Sequence, residues 1–509
     1  MKSSILLRLS LLGIMIILSH FICIKTEENE FAIELVDLFE KDGLVEDRDK
    51  VDFDDSITAD VLVDEMGFGW NLGNTLDAYN YEAKTTQDGL DSETMWGNPK
   101  TNEEMIQELI FKGFRTLRIP VTWHNHLVDE KYTIDPKWMQ RVKTVVDWGI
   151  NNGLYVILNT HHDVAHFNKE PIGYGEGYYT AFKDMEESER FIYNVWRQIA
   201  TAFNNGYDHH LIFEGLNEPR MNGHEREWTF EKTDSDCLAA VESLNEYMRL
   251  IVKAIRESGG NNEKRFIMIT PLSGSYLSAI NSNVIIPNDS FYNPNNNKLL
   301  ISVHMYTPYN FALNGEMAYT KFTEEYKEEI YEDFVNLYKK YVSLGYNVVI
   351  GEMGTVNKNN TDDRIAWAEY FVKTARKFHM SCVLWDNGDF DNTKGAAEIF
   401  GSFHRDKLVW ENNELVELHI TFATEPFEKI DVSELFSIEL KDNFNKDAII
   451  KDEGKKDFDD KIRAAEISEN IGMGWNLGNT LDAFTKDIKG YNQGLKSETC
   501  WGNPETKEE

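Results

Sequence analysis

Between Phe68 and Phe422 the chain alternates short apolar runs with longer amphipathic stretches. Runs of four or five apolar residues bounded by Gly, Asn or Asp suit buried strands, and the stretches between them carry the 3.6-residue period of helices. The strands read as Gly69–Leu72, Thr116–Ile119, Tyr155–Asn159, Leu211–Glu214, Phe266–Thr270, Leu300–His304, Val348–Gly351 and Cys382–Trp385. Helices are expected near Glu103–Phe111, Pro136–Asn151, Glu187–Asn204, Asp236–Glu257, Glu324–Leu344 and Asp362–His379, with Glu414–Phe422 as a short closing helix. No regular helix is convincing in the loop 281–297, which is rich in Asn and Pro. Two helix starts carry their own signals. Thr101 with Glu104 reads as a capping box, and Asp135 as an N-cap ahead of Pro136.

Eight strand–helix beats in roughly 350 residues have the size and rhythm of an α/β fold, a (β/α)8 barrel. A doubly wound sheet is the alternative. Barrel sites form at the carboxyl ends of the strands, and the polar residues collect there. Glu218 and Glu352 follow apolar runs in HLIFEGLNEP and NVVIGEMG, at the ends of the fourth and seventh strands. Two carboxyl groups facing each other across a barrel mouth match the needs of glycoside hydrolysis. One protonates the leaving oxygen; the other attacks the anomeric carbon or activates water.

The neighbouring strand ends supply suitable partners. Arg118, in TLRIP, can hold a carboxylate ionised through charge-assisted hydrogen bonds. Asn217 can donate to a sugar hydroxyl, His161 can bind another, and Trp385 offers a face for a sugar ring. His304 and Tyr306 in His-Met-Tyr point to one side, because strand side chains alternate. Each also has a structural alternative: a buried ion pair for Arg118, core packing for Trp385, a supporting hydrogen bond for His161.

Other chemistries fit less well. The histidines His124, His126, His161, His162, His166, His209 and His210 raise a metal site, but no HExxH motif and no cysteine pairing accompany them, so no metal and no cofactor are expected. The segment Gly173–Gly177 lacks the strand and the Lys-Ser/Thr of a phosphate loop. A net charge of −35 argues against nucleic acid as a partner. Only Cys237, Cys382 and Cys500 lie beyond the first 25 residues, so no disulfide framework is expected.

Residues 1–25 read as a secretory signal, with Lys2 and Arg8 before the apolar stretch Leu9–Ile22, and the protein is expected to be secreted and extracellular. An uncleaved anchor is the alternative. Residues 26–60 and 425–463 read as acidic, disordered linkers flanking a catalytic unit over 61–424. The segment 464–509 reads as the start of a second copy. Gly472–Glu509 parallels Gly67–Glu104 without a gap at an offset of 405 residues, and GWNLGNTLDA at 69–78 returns unchanged at 474–483. Such a period is that of tandem domains rather than of a solenoid.

The ordered motifs GWNLGNTLDA (69–78), FRTLRIPVTW (114–123), THHD (160–163), FEGLNEPR (213–220), HMYTPYNF (304–311), VIGEMG (349–354) and LWDNGDF (384–390) resemble family 5 of the glycoside hydrolases, the cellulase family A. GWNLGNTLDA with ETMWGNP is similar to its subfamily 4, a group of endo-β-1,4-glucanases. The resemblance implies that Glu218 is the acid/base and Glu352 the nucleophile, with net retention of configuration. It implies a substrate-binding set of Asn74, Arg118, His161, Asn217, His304, Tyr306 and Trp385. It also implies a β-glucan polysaccharide as partner and a monomeric catalytic unit, with xyloglucanase, lichenase or mannanase activity and a non-catalytic sugar-binding barrel as alternatives. Tandem domains and acidic linkers leave room for a multienzyme plant-fibre-degrading complex, joined through a downstream module.

Overall fold

A computed structural model describes residues 35–80, 88–168, 173–294, 298–391, 399–426 and 435–436. The signal, most of the second linker and the repeated segment lie outside these. Eight parallel strands close into one barrel in chain order: β1 Phe68–Asn71, β2 Thr116–Ile119, β3 Tyr155–Asn159, β4 Leu211–Glu214, β5 Ile267–Ile269, β6 Leu299–His304, β7 Val348–Met353 and β8 Met380–Leu384. Each strand residue is buried, as both faces of a parallel sheet covered by helices require. A two-stranded antiparallel hairpin, β9 Phe403–His404 with β10 Val409–Trp410, precedes the closing helix Asn413–Thr424.

Alternation along the strands divides the side chains. Phe68, Trp70, Leu117, Ile119, Val156 and Leu158 face outward into the large core beneath the helices. Ile157, Ile212, Met268, Leu300, Val349 and Val383 face inward and form a smaller apolar cluster with Ala59, Leu62, Val63 and Met66. The last four come from the helix Ala59–Glu65 and its C-cap, which plugs the end of the barrel where the strands begin. Further along the same inner faces stand Asn71, Arg118, Asn159, Glu214, Ser302 and His304, all buried.

The strand β7 breaks this alternation. Val303 pairs with Ile350, yet the next residue His304 pairs with Glu352, so the register shifts by one residue. The extra residue is Gly351, whose added Cβ would lie 2.9 Å from Ser302 Oγ. A bulge here turns Glu352 inward, where an unbroken pleat would turn it to the helices. The strand therefore runs through Glu352 instead of ending before it.

Two expectations need correction. The helix Glu103–Lys112 is capped by Asn102, whose Oδ1 accepts from Met105 N at 3.0 Å, and not by a Thr101–Glu104 box. Thr101 N instead donates to Glu93 at 2.8 Å, which turns the residue away from the helix start. The Asp135 cap before Pro136 is present. The acidic segment 26–60 is not a free linker over its described part, from residue 35 onward. Asp37 pairs with Arg197 at 3.0 Å, Asp47 accepts from the amides of Asn204 and Gly206, and Val51 N donates to Asn205 O at 2.8 Å. Asp37 and Asp47 are acceptors for groups on the barrel, a use that composition does not reveal.

Candidate active site

Arg118, fully buried on β2, organises the mouth where the strands end. Its Nε donates to Glu214 Oε2 at 2.8 Å, Nη1 to Asn71 Oδ1 at 2.8 Å and to Glu352 Oε1 at 2.7 Å, and Nη2 to Asn217 Oδ1 at 2.7 Å. The fork uses its donors on three strands and on the β4 loop, as a planar guanidinium does where geometry must be fixed. Burial works against its charge, but Glu214 and Glu352 outweigh that and raise it.

Glu352 receives a second hydrogen bond from Tyr306 Oη at 3.0 Å. Glu218 stands four residues beyond β4, half-buried, with its Oε1 2.8 Å from His304 Nδ1. Oxygens of Glu218 and Glu352 and a nitrogen of His304 lie within 4.8 Å of one another. Asn217 spends its Oδ1 on Arg118, leaving Nδ2 to donate. Trp385, half-buried just past β8, lies parallel to the His161 ring with centroids 6.0 Å apart. His161 Nδ1 is 3.1 Å from Asn159 Nδ2, and burial followed by the nearby His162 pushes its basicity far down, so the ring is neutral.

Of the residues named from sequence, Arg118, Asn217, Glu218, His304, Tyr306 and Glu352 form one hydrogen-bonded cluster, and His161 and Trp385 stack at the same mouth. Asn74 is placed differently. It sits in the β1 loop with φ 54°, and its backbone is held there by its N–H on Asp77 and its carbonyl on Asn98. Glu214 went unread: buried, it accepts from Arg118, from Asn159 Nδ2 at 2.9 Å and from Ser302 Oγ at 2.5 Å. A signal was available, since a glutamate inside an apolar strand needs a buried cation opposite it.

Glu218, His304 and Glu352 titrate as one coupled set. Burial raises Glu218, but the hydrogen bond and charge of His304 reverse this and leave it below the ordinary glutamate value. Burial lifts Glu352 above that value with help from the Glu218 charge, against His304 and Arg118. Burial opposes the His304 cation, and the two carboxylates raise it overall. Those directions hold for a charged histidine. A guanidinium only donates, so where Arg118 Nη2 meets His304 Nε2 at 3.4 Å the ring nitrogen accepts, and the proton belongs on Nδ1 facing Glu218.

Three groups of described residues bring metal-binding atoms together: Asp77 with His161 and His162, Asp208 with His209 and His210, and the Glu218–His304–Glu352 set. In the third, the Glu352 oxygen nearer His304 already accepts from Tyr306, and His304 Nδ1 already faces Glu218. In the first, both Asp77 oxygens already accept backbone N–H groups, from Asn74 and Thr75.

A closed parallel barrel with two carboxyl groups, one half-buried and one buried, at the carboxyl ends of β4 and β7 defines a barrel hydrolase of the glycosidase class. The comparisons with known proteins narrow this. A family model described as cellulase (glycosyl hydrolase family 5) matches residues 76–391, and the chain belongs to glycoside hydrolase family 5. It is 44% identical over 367 residues to Endoglucanase 1 of Ruminococcus albus, covering 71% of this chain and 80% of that protein. It is 40% identical over 356 residues to Endoglucanase B of Neocallimastix patriciarum, covering 69% of each. Among solved structures, a GH5-4 broad specificity endoglucanase from Ruminococcus champanellensis with bound cellotriose matches with TM-score 0.64 and 34% identity, over 73% of this chain and all of that one. A family 5 lichenase from Caldicellulosiruptor sp. F32, in complex with cellotetraose, matches with TM-score 0.66 and 36% identity, over 74% of this chain and 98% of that one.

Proposed function

We propose that this glycoside hydrolase is a secreted endo-β-1,4-glucanase that cleaves internal bonds of cellulose and related plant β-glucans with net retention of configuration. The observation that carries the reading is that Glu218 and Glu352 share His304 as a neighbour, with one oxygen of each within 4.8 Å of the other, the close approach a retaining pair requires. Retaining glycosidases keep their carboxyl groups about 5–5.5 Å apart, whereas inverting ones need roughly 6.5–9.5 Å to admit a water.

The partner sets then divide the roles. Glu352 is held by a permanent cation and a phenol, both of which favour its ionised form. Glu218 is held by His304, which carries one proton once Arg118 occupies its other nitrogen. Its bond to Glu218 uses Oε1 alone, so Oε2 is the oxygen left to carry a proton to the leaving group. Glu352 attacks the anomeric carbon while Glu218 Oε2–H protonates the departing oxygen. Its carboxylate then takes a proton from water as that water cleaves the glycosyl ester on Glu352. Asn217 Nδ2 donates to the hydroxyl beside the reacting carbon, Trp385 stacks on the sugar, and His161 binds a hydroxyl.

The names of the similar proteins support a glucan substrate, and the likeness to a family 5 lichenase keeps mixed-linkage glucan as the second reading. The groups around both glutamates come from one chain, which supports action as a monomer. The signal-like residues 1–25 support secretion. A 2-deoxy-2-fluoro-cellobioside with a good leaving group tests the mechanism by intact-protein mass. The reading expects one added cellobiosyl unit, located on Glu352 by peptide mapping. Labelling elsewhere, or steady turnover without labelling, contradicts it. Inactivity on carboxymethylcellulose, lichenan and xyloglucan alongside activity on mannan would refute the glucanase reading.

A further inference from the structure

The loop after β5 has no part in the chemistry above, yet it touches the segment that carries Glu218 at successive points. Thr270 Oγ1 donates to Leu216 O at 2.5 Å, Ser273 N to Pro219 O at 2.7 Å, and Ser273 Oγ to Glu227 O at 2.9 Å. Ser275 forms an isolated parallel bridge with His304. Between these anchors the backbone adopts the left-handed region twice in succession, at Ser273 (φ 58°, ψ 17°) and Gly274 (φ 60°). For a serine that conformation is uncommon, and it persists only where the surroundings enforce it. Gly274 is pressed against the acid itself. A Cβ there would lie 2.9 Å from Asn217 O, 3.1 Å from Glu218 Cγ and 3.2 Å from His304 Nδ1.

We propose that Ser273 and Gly274 are positioning residues that set the Glu218–His304 hydrogen bond, and through it the proton delivery by Glu218. The left-handed pair brings a side-chain-free backbone against both members of that bond, so the placement of each depends on the loop keeping this conformation. The proposal rests on Glu218 being the acid, and the test separates the two ideas.

The readout is kcat/KM on two substrates. A cello-oligosaccharide has a sugar leaving group that needs a proton; a dinitrophenyl cellobioside expels a phenolate that needs none. Gly274→Ala displaces Glu218 or His304 by a few tenths of an ångström or more. The expected loss is roughly 100-fold on the oligosaccharide, the scale of a misplaced catalytic group, and less than about threefold on the dinitrophenyl substrate. Ser273→Ala removes only the Oγ hydrogen bond, and the same selective loss is expected at about fivefold. It decides the question if Gly274→Ala fails to fold by circular dichroism. Equal losses on both substrates, or no loss on either, overturn the proposal. Glu218→Gln is the control. If it too loses equally on both, the acid assignment fails. If it is selective while the loop variants are not, only the positioning proposal fails.

Discussion

The two mouths of this barrel are made from the same eight strands and do opposite work. Where the strands begin, the inner residues are Ile157, Ile212, Met268, Leu300, Val349 and Val383, and a short helix seals them with Leu62 and Val63. Where the strands end, the inner residues are Arg118, Asn159, Glu214, Ser302 and His304, with Glu352 turned in by a bulge. The first arrangement gains free energy by excluding water from apolar surface. The second buries a guanidinium and carboxylates that are tolerable only because each finds a partner. The difference teaches that one end stabilises and the other is held ready for chemistry at some expense of stability.

The sharpest way to break this contrast is Glu352→Ala. It should remove several orders of magnitude from kcat while leaving oligosaccharide binding, measured by calorimetry, largely intact. Unchanged activity would reduce the mouth to a sugar-binding surface. Glu214→Gln comes next. Leaving Arg118 short of one buried anion should lower stability by about 3–5 kcal/mol in denaturant titration, with kcat falling as well, because Arg118 also holds Glu352. Leu62→Ala at the other mouth should lower stability by about 2–5 kcal/mol with kcat/KM unchanged. An activity loss matching that of Glu214→Gln would erase the division between the two ends.

Two smaller effects concern pH. Tyr306→Phe removes a donor to ionised Glu352, so the Glu352 pKa rises. The acidic limb of the kcat/KM profile should move to higher pH, with a rate loss of roughly tenfold at the optimum. Asp333 offers a test of stability. Burial pushes its carboxyl up to about 7, against hydrogen bonds from Thr307 and Tyr276. A folded-state value above the ordinary 3.8 means a contribution fully present below that value and lost as pH rises through about 7. The wild type should therefore lose melting temperature between pH 4 and 7 relative to Asp333→Asn, whose profile should be flatter there.

Much of the barrel is legible in the chain because buried parallel strands read as short apolar runs, and the helix ends match within a few residues. The cluster of Arg118, Asn217, Glu218, His304, Tyr306 and Glu352 is legible because polar residues directly follow those runs. What stays hidden depends on pairing across the fold. Gly351 reads as one more small residue until the His304–Glu352 register shows it as a bulge. Glu214 reads as the end of an apolar strand until Arg118 meets it at 2.8 Å. Asp37 and Asp47 look solvated because their partners Arg197 and Asn204 lie more than a hundred residues away.

A double displacement by Glu218 and Glu352 fixes the configuration of the product. Proton NMR of the first product released from a β-1,4-linked cello-oligosaccharide tests this most directly, before the anomers equilibrate. A β-anomer appearing first, followed by slow drift to the equilibrium mixture, is the predicted result. An α-anomer appearing first would contradict it.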